Sequence, residues 1–517
     1  MLGATALSPV NGIAPAAAAG NSVGLFAWGY NSDGQLGDGT NVGPDSCTGQ
    51  PCSTTPVLVQ LPSGVTPTAI AGGFSSGYAI GSRGHLYAWG TNQDGDLGDG
   101  VSGFFDSTTP VVVSLPSGVT PTAIAASDYD GYAIGSNGKL YAWGDNFGGQ
   151  LGIGTDSGPE TCDSEPCSTK PVVVSLPSGV TATAVAASGG DAYAIGSDGH
   201  LYAWGPNREG ELGDGTDTGP DICPLATPCS TTPVVVLLPS GVTPKAIAGG
   251  YAIGSDGHLY AWGSNEDGGL GDGTSGNLST TPVLVSLPFG VTPIAIAAGY
   301  AIGSNGNAYS WGGDNVGQLG NGTSVAPDTC TGEPCSTTPV LVSLPAGVTP
   351  TAIGSGAGDG YAIGSDGHLY AWGGDDFGTL GNGTGGIFIH SSTPVAVSLL
   401  SGRIPEDLGS EQGESGYAVV SATSQITITT TSLPPGTVGV PYSVQLEAVG
   451  GTPPYTWNKY PPKGMGTLPR GLILSKSGLI SGTPKQAGTH TFTVKCLDSS
   501  HSRKTQAIQT LTLTINS

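Results

Sequence analysis

Four short apolar runs recur along the chain in a fixed order. In the first full interval they are Pro56–Val59 (PVLV), Thr68–Ala71 (TAIA), Tyr78–Gly81 (YAIG) and His85–Gly90 (HLYAWG). Each is rich in β-branched or aromatic side chains and bounded by Gly, Pro or Ser, the pattern of a strand that ends in a tight turn. The set returns with Trp28, Trp89, Trp143, Trp204, Trp262, Trp311 and Trp372, each in an (A/S)-W-G triplet, at spacings of 61, 54, 61, 58, 49 and 61 residues. Four antiparallel strands in a repeat of this length make one propeller blade. The pattern predicts an all-β chain with a seven-bladed β-propeller over residues 22–421.

The first Trp strand, Val23–Gly29, has no YAI run before it, and the last such run, Tyr417–Val420, has no Trp strand after it. Each end lacks what the other supplies. Pairing Val23–Gly29 beside Tyr417–Val420 would close the ring and hide two sheet edges. Between blades the Trp strand leads into a Gly-rich run, AWGYNSDGQLGDGT at Ala27–Thr40. Counted from each Trp, Gly at +1, +6, +9 and +11 and Leu at +8 occur in all seven copies. These are residues of backbone geometry plus one core plug.

The W-G-x-N-x-x-G-Q-L-G-x-G-T runs and the YAIGSDGHLYAWG runs before them resemble the regulator-of-chromosome-condensation repeat family over about residues 22–421. Family repeats often carry Gly-x-x-His-Ser/Thr before the YAI strand. Here AGGFSSGYAI, AASDYDGYAI and AASGGDAYAI have no His, and AIAGGYAI (Ala246–Ile253) and AIAAGYAI (Ala295–Ile302) are shortened. In this the chain resembles bacterial versions more than the eukaryotic nuclear protein.

The period vanishes from about Ser424. Alternating strands such as YSVQLEAV and HTFTVKCL predict a small β-sandwich over 426–517. PPYTW, LPRGL, GLISGTP and AGTHTFTV resemble an immunoglobulin-like domain family of bacterial secreted and surface proteins, grouped by some near cadherin-like folds. Trp457 is expected in its core. The cadherin-like link suggests calcium, but Glu447 and Asp498 are the tail's only carboxylates, too few for an ion that takes six to eight oxygens.

Composition sharpens the picture. Gly and Pro, 90 and 40 of 517 residues, fit tight turns rather than disorder because 37% of residues are hydrophobic. No run of 18 apolar residues occurs, so no transmembrane segment is expected. Residues 1–423 carry 6 Lys and Arg against 36 Asp and Glu, a net −30, while 424–517 carry 8 against 2, a net +6. The acidic body argues against nucleic acid as a partner. The leader, residues 1–21, is small and apolar and lacks the basic start of a secretory signal, although APAAAAG resembles a cleavage site.

Eight of nine cysteines form local pairs, Cys47/Cys52, Cys162/Cys167, Cys223/Cys229 and Cys330/Cys335, each between a Gly-rich run and a P-V-x-V strand. A single pair supplies two of the four ligands of a structural zinc, and no His is spaced to complete it. Where one Cys of a pair is absent its mate is too, which favours a disulfide in each loop, worth roughly 2 kcal/mol by chain-entropy arithmetic. Disulfides imply an oxidising compartment, extracellular or at the cell surface. Cys496 is read as a buried thiol.

Candidate chemistry fails on comparison of the copies. At +10 stand Asp38, Asp99, Ile153, Asp214, Asp272, Asn321 and Asn382, and an ion cage does not survive replacement of a ligand by Ile153. One copy, Asn92–Gly100, offers Asp94, Asp96 and Asp99 but lacks the spacing of a calcium loop. A phosphate loop would feed a helix and usually carry Lys. His85, His200, His258 and His368 share a turn position taken elsewhere by Lys139 and Asn307, which marks an exposed hairpin. Asp128 and Asp130 are close in sequence but have no evident partner. No nucleophile elbow, Cys–His pairing or H-E-x-x-H run appears. No enzyme activity, cofactor or metal is expected.

The expected function is an exported, monomeric binding scaffold that presents propeller loops to a protein or glycan partner, with the face bearing the Cys loops as the interface. The family resemblance implies one alternative, nucleotide exchange on a small GTPase. Resemblance to a β-lactamase-inhibitory propeller implies another, a secreted enzyme inhibitor.

Overall fold

The computed structural model describes residues 23–103, 106–323, 325–400, 403–409, 413–422, 426–449, 454–460, 467–497 and 506–517. The expected leader lies outside them. Two compact units appear, one built on 23–399 and 405–420 and the other on 421–517. Every described element is a strand except one three-residue 3-10 turn, Pro224–Ala226.

The first unit holds seven antiparallel sheets, numbered I to VII here in the order of their tryptophans, Trp28 to Trp372. Sheet II is the simplest case, with Pro67–Gly72, Ser76–Gly81, Leu86–Gly90 and Ser107–Val112 side by side in chain order. Thr68–Ala71, Tyr78–Gly81 and all but His85 of His85–Gly90 become the first three strands of sheet II, but Pro56–Val59 does not join them. Pro56–Leu58 ends Gln50–Leu58, the outer strand of sheet I, because each sheet takes its outer strand from the chain that follows its own Trp. Sheets II, V and VII have four strands. Sheets I, III, IV and VI have a fifth, three residues long, which is the first arm of a Cys hairpin at the outer edge.

Sheet I is assembled from both ends of the repeat region. Gly24–Tyr30 pairs antiparallel with Ser415–Ala422, in the register Gly24 to Val420 and Trp28 to Gly416. Hydrophobic clusters join successive sheets around a ring. One links Tyr78 and Ile80 of sheet II to Trp143 of sheet III, and the closing one links Tyr361 and Ile363 of sheet VII to Trp28 and Val420 of sheet I. The first strands, Pro67–Gly72, Pro121–Ala126, Ala182–Ser188, Pro244–Ala248, Pro293–Ala297 and Pro350–Ser355, contact one another in succession. This is a propeller whose chain ends pair within one sheet.

Each W-G step carries a β-bulge. Pairing of the Trp strand with the outer strand slips between Ala88 and Gly90, and at the equivalent step of every other sheet. Gly90 sits at φ 102°, and a Cβ there would stand 2.2 Å from the Ser75 carbonyl oxygen. Only glycine fits both the dihedral and the approach.

The second unit is an immunoglobulin-like domain of short sheets, its longest pairing between Gly488–Leu497 and Gln506–Asn516. Trp457 is 3% exposed and sits opposite buried Cys496 in a core with Phe492, Leu511 and Leu513.

Candidate functional site

The Gly-rich runs, the segments before the YAI strands and the Cys hairpins all lie at the same end of the strands. In sheet I that end is marked by the pairs Gly29 to Ser415 and Tyr30 to Cys52. The turns carrying His200, His258 and His368 lie at the opposite end. There each ring Nδ1 is 3.0–3.2 Å from Asp198, Asp256 or Asp366; His200 and His258 are exposed as expected, and His368 is half-buried.

The Gly-rich run is built as a staple between sheets. In all seven copies the Asn or Asp at +3 accepts a hydrogen bond from the Leu N–H at +8, as Asn31 does from Leu36 at 3.0 Å. This curls the run so that the carbonyl at +7 points inward. That oxygen accepts two bonds, one from the Tyr hydroxyl of its own sheet and one from the Trp Nε1–H of the next. Gln35 O takes Tyr417 at 2.8 Å and Trp89 at 2.7 Å. Gly39 N–H then reaches Thr108 O, 2.9 Å away on the outer strand of sheet II, and each +11 glycine makes the same bond to the sheet that follows. The pattern completes the circle, with Gly383 donating to Thr54 of sheet I.

The carboxylates singled out in Asn92–Gly100 do not converge on a common point. Asp96 is fully buried and accepts from Asp94 N–H through Oδ2, while Asp99 accepts from Val101 N–H. Asp96 takes the place of Gln35, Gln150 and Gln318, whose side chains make the same bond two residues back. Among the described residues no three His, Cys, Asp or Glu side chains are grouped as metal ligands.

The four expected disulfides form: Cys47–Cys52, Cys162–Cys167, Cys223–Cys229 and Cys330–Cys335. Their hairpins have a second tie that sequence reading missed. Asp45 accepts from both the N–H and the hydroxyl of Thr54. Glu160, Asp221 and Asp328 do the same for Thr169, Thr231 and Thr337.

A row of buried carboxylates also emerges at this end. Asp130, Asp191 and Asp359 hold equivalent places two residues before Tyr132, Tyr193 and Tyr361, and each has an Oδ1 with no hydrogen-bond partner among the described residues. Burial pushes the first two well above the usual carboxylate range, aided by Asp145 beside Asp130 and by Glu211 beside Asp191. Burial pushes Asp359 up to about 8 against the Thr379 hydroxyl, with the charges of Asp375, Asp376 and Glu414 adding to it. Asp128, by contrast, is only partly buried.

Beside Asp359 lies a cleft of about 230 Å³. Its walls come from the loop after Trp311 (Asn315, Val316, Gln318), the loop after Trp372 (Gly374, Asp376, Phe377, Thr379), the segment before Tyr361, and Glu414. No sequence pattern announced it, because the residues come from three repeats. The repeated Asp before G-Y-A-I was its visible trace.

Comparison with known proteins fits this architecture. The regulator of chromosome condensation (RCC1) repeat model matches residues 24–80, 83–133, 137–195, 256–302, 305–362 and 366–407, and the family described as "Putative Ig domain" matches 418–516. The human E3 ubiquitin-protein ligase HERC2 is 29% identical over 261 residues, 50% of this chain and 5% of that protein. The Arabidopsis thaliana ultraviolet-B receptor UVR8 is 28% identical over 255 residues, 48% of this chain and 51% of that one. The chain thus spans about half or less of the length of these relatives. Among solved structures, yeast RCC1 (Prp20), crystallised with Kap60, superposes with a TM-score of 0.62 at 20% identity, covering 78% of this chain and 89% of that one. Human WBSCR16 gives 0.62 at 18% identity, covering 78% and 99%. These two likenesses concern the fold. With six repeat matches over more than half of its length, the chain belongs to the regulator of chromosome condensation repeat family.

Proposed function

We propose that this chain is a non-catalytic scaffold that binds a protein partner through the loop-bearing end of its propeller. The observation that carries the reading is the double use of the +7 carbonyl. Each loop at that end is tied to its own sheet by a Tyr and to the next by a Trp, so seven loops are held as one rigid surface. A rigid surface loses little conformational freedom on binding. The four disulfide hairpins flank the same end on sheets I, III, IV and VI. They support an oxidising, extracellular setting for the protein. A protein-binding role also accords with solved relatives, one of which is described by its binding to Gsp1p and histones.

The test uses the full chain with a single photo-crosslinking residue, placed at half-buried Asp38 or Asp272 of the loop end, or at exposed Ser136 or Ser304 of the opposite turns. The scaffold should capture a discrete protein from its native exterior through the first pair and not the second. Capture only through the opposite turns would overturn the assignment of the face, and release of a small-molecule product would overturn the non-catalytic reading.

A further inference from the structure

At the position two residues after the Trp, the cleft beside Asp359 lacks a side chain that both of its counterparts carry. Asp130 is followed in space by Gly144 and then Asp145, whose carboxylate fills the equivalent gap and accepts from Gln150 Nε2 at 2.8 Å. Beside Asp191 the gap is filled by the ring of Pro206, packed against Gly148 of the preceding loop. Beside Asp359 the same position is Gly374. A Cβ there would stand 3.5 Å from Asp359 Oδ1 and 3.5 Å from Val316 Cγ2, so the missing side chain opens the space onto the unpartnered oxygen. Asp359 is 5% exposed.

The lining is specific in its chemistry. Asp359, Asp376 and Glu414 supply three carboxyls, while Val316, Ala357 and Phe377 supply apolar wall. Asn315 and Gln318 add side-chain amides. Among the described residues no Lys, Arg or His lines the cleft. Carboxyls at the end of a partly apolar slot suit a positive head on an alkyl stem, and a planar guanidinium also stacks on an aromatic ring.

We propose that this cleft receives one long cationic side chain, Arg or Lys, presented by a protein partner. The inference deepens the scaffold reading and rests on it for the source of that side chain. Binding of the cation favours the ionised form of Asp359 and so pairs the buried oxygen that the unliganded protein leaves open.

Short labelled peptides test it, N-acetyl-Gly-Gly-X-Gly-Gly amides with X as Arg, Lys, Gln or Glu, titrated onto the full chain and followed by fluorescence anisotropy. The net charge of −24 draws any cation to the surface. The deciding variant therefore fills the cleft without changing charge. Gly374→Leu does so at a backbone conformation open to other residues and with ordinary van der Waals distances at Cβ. The Arg and Lys peptides should bind at least tenfold more tightly than the Gln peptide, and both should lose at least fivefold with Gly374→Leu. Glu414→Gln, at the partly exposed mouth, should lose a smaller factor and serves as a second probe if Gly374→Leu does not fold. Equal binding of the Arg and Gln peptides, or an Arg peptide indifferent to both variants, would overturn the proposal. If a partner is captured at the loop end as strongly by Gly374→Leu as by wild type, the cleft proposal falls while the scaffold reading stands.

Discussion

The indole Nε1–H of Trp28 donates to the carbonyl of Thr379 at 2.7 Å, across 351 residues of sequence. The same carbonyl accepts from the Tyr361 hydroxyl at 2.8 Å, and the two rings meet edge to face with centroids 6.1 Å apart. This is the joint by which the first Trp strand locks onto the last repeat, and it is chemically the same as the six internal joints. Trp28→Phe keeps an aromatic ring but removes the donor and part of the indole volume. It should lower unfolding free energy by about 1–3 kcal/mol, from the lost bond and a small cavity. Trp28→Ala should cost about 3–5 kcal/mol through the cavity it leaves. Denaturant melts of the two variants check the ordering, and a Phe variant as damaging as the Ala variant would contradict it.

The +3 side chain matters more than its turn position suggests. Asn146 accepts from Leu151 N–H and donates to Thr155 O, both within one buried curl. Asn146→Ala leaves a buried amide unpaired and should cost about 1–3 kcal/mol. Asn146→Asp keeps the acceptor and should cost less, since Asp314 and Asp375 hold the same place and accept the same bond. Thermal melts of the two variants measure the difference.

Much of this was legible in the sequence, and the reasons are physical. Strand pattern and turn chemistry are local, so the runs at Pro56–Val59, Tyr78–Gly81 and His85–Gly90 could be read directly. Ring closure followed from an imbalance between the ends, and the pair Gly24 to Val420 realises it. The hairpin arms such as Asp45–Cys47 were not read as strands, because three residues carry too little alternation. The cleft beside Asp359 left one trace in the sequence, the Asp repeated two residues before Tyr132, Tyr193 and Tyr361, and could not be read from it as a cleft. It depends on Gly374 lacking a side chain at one place where Asp145 and Pro206 have one, and on loops brought together from separate repeats.

The Cys hairpins should survive reduction better than their disulfides suggest. Cys47→Ser with Cys52→Ser removes one short closed loop, worth roughly 2 kcal/mol, but leaves Asp45 bonded to Thr54. Adding Asp45→Ala should then release the hairpin, seen as faster amide exchange at Thr54. Equal exchange in the double and triple variants would contradict the second tie. Intact mass before and after reduction should differ by the eight hydrogens of four bridges.

The buried carboxyls set the sign of the pH dependence. Asp96, Asp130, Asp191 and Asp359 are all raised above their ordinary value, chiefly by burial. Folded protein therefore holds protons that the unfolded chain releases above about pH 4, and stability falls as pH rises from there through about 8. Carboxyls lowered in the fold, such as Asp198 and Glu160, oppose this only near and below the unfolded carboxylate range. Melting temperature should be higher at about pH 5 than at about pH 8, and Asp130→Asn with Asp191→Asn should flatten the slope. A melting temperature that climbs toward pH 8 would contradict it.

The central claim is that the Gly-rich run serves the ring and not a ligand. Its most direct measurement is amide hydrogen exchange at the +11 glycines, Gly39, Gly100, Gly154, Gly215, Gly273, Gly322 and Gly383, each bonded to the outer strand of the next sheet at 2.8–2.9 Å. The account predicts that all seven exchange as slowly as the Trp strands, without added metal or phosphate. Exchange within seconds, slowed only when an ion or phosphate is supplied, would show that these runs are ligand loops after all.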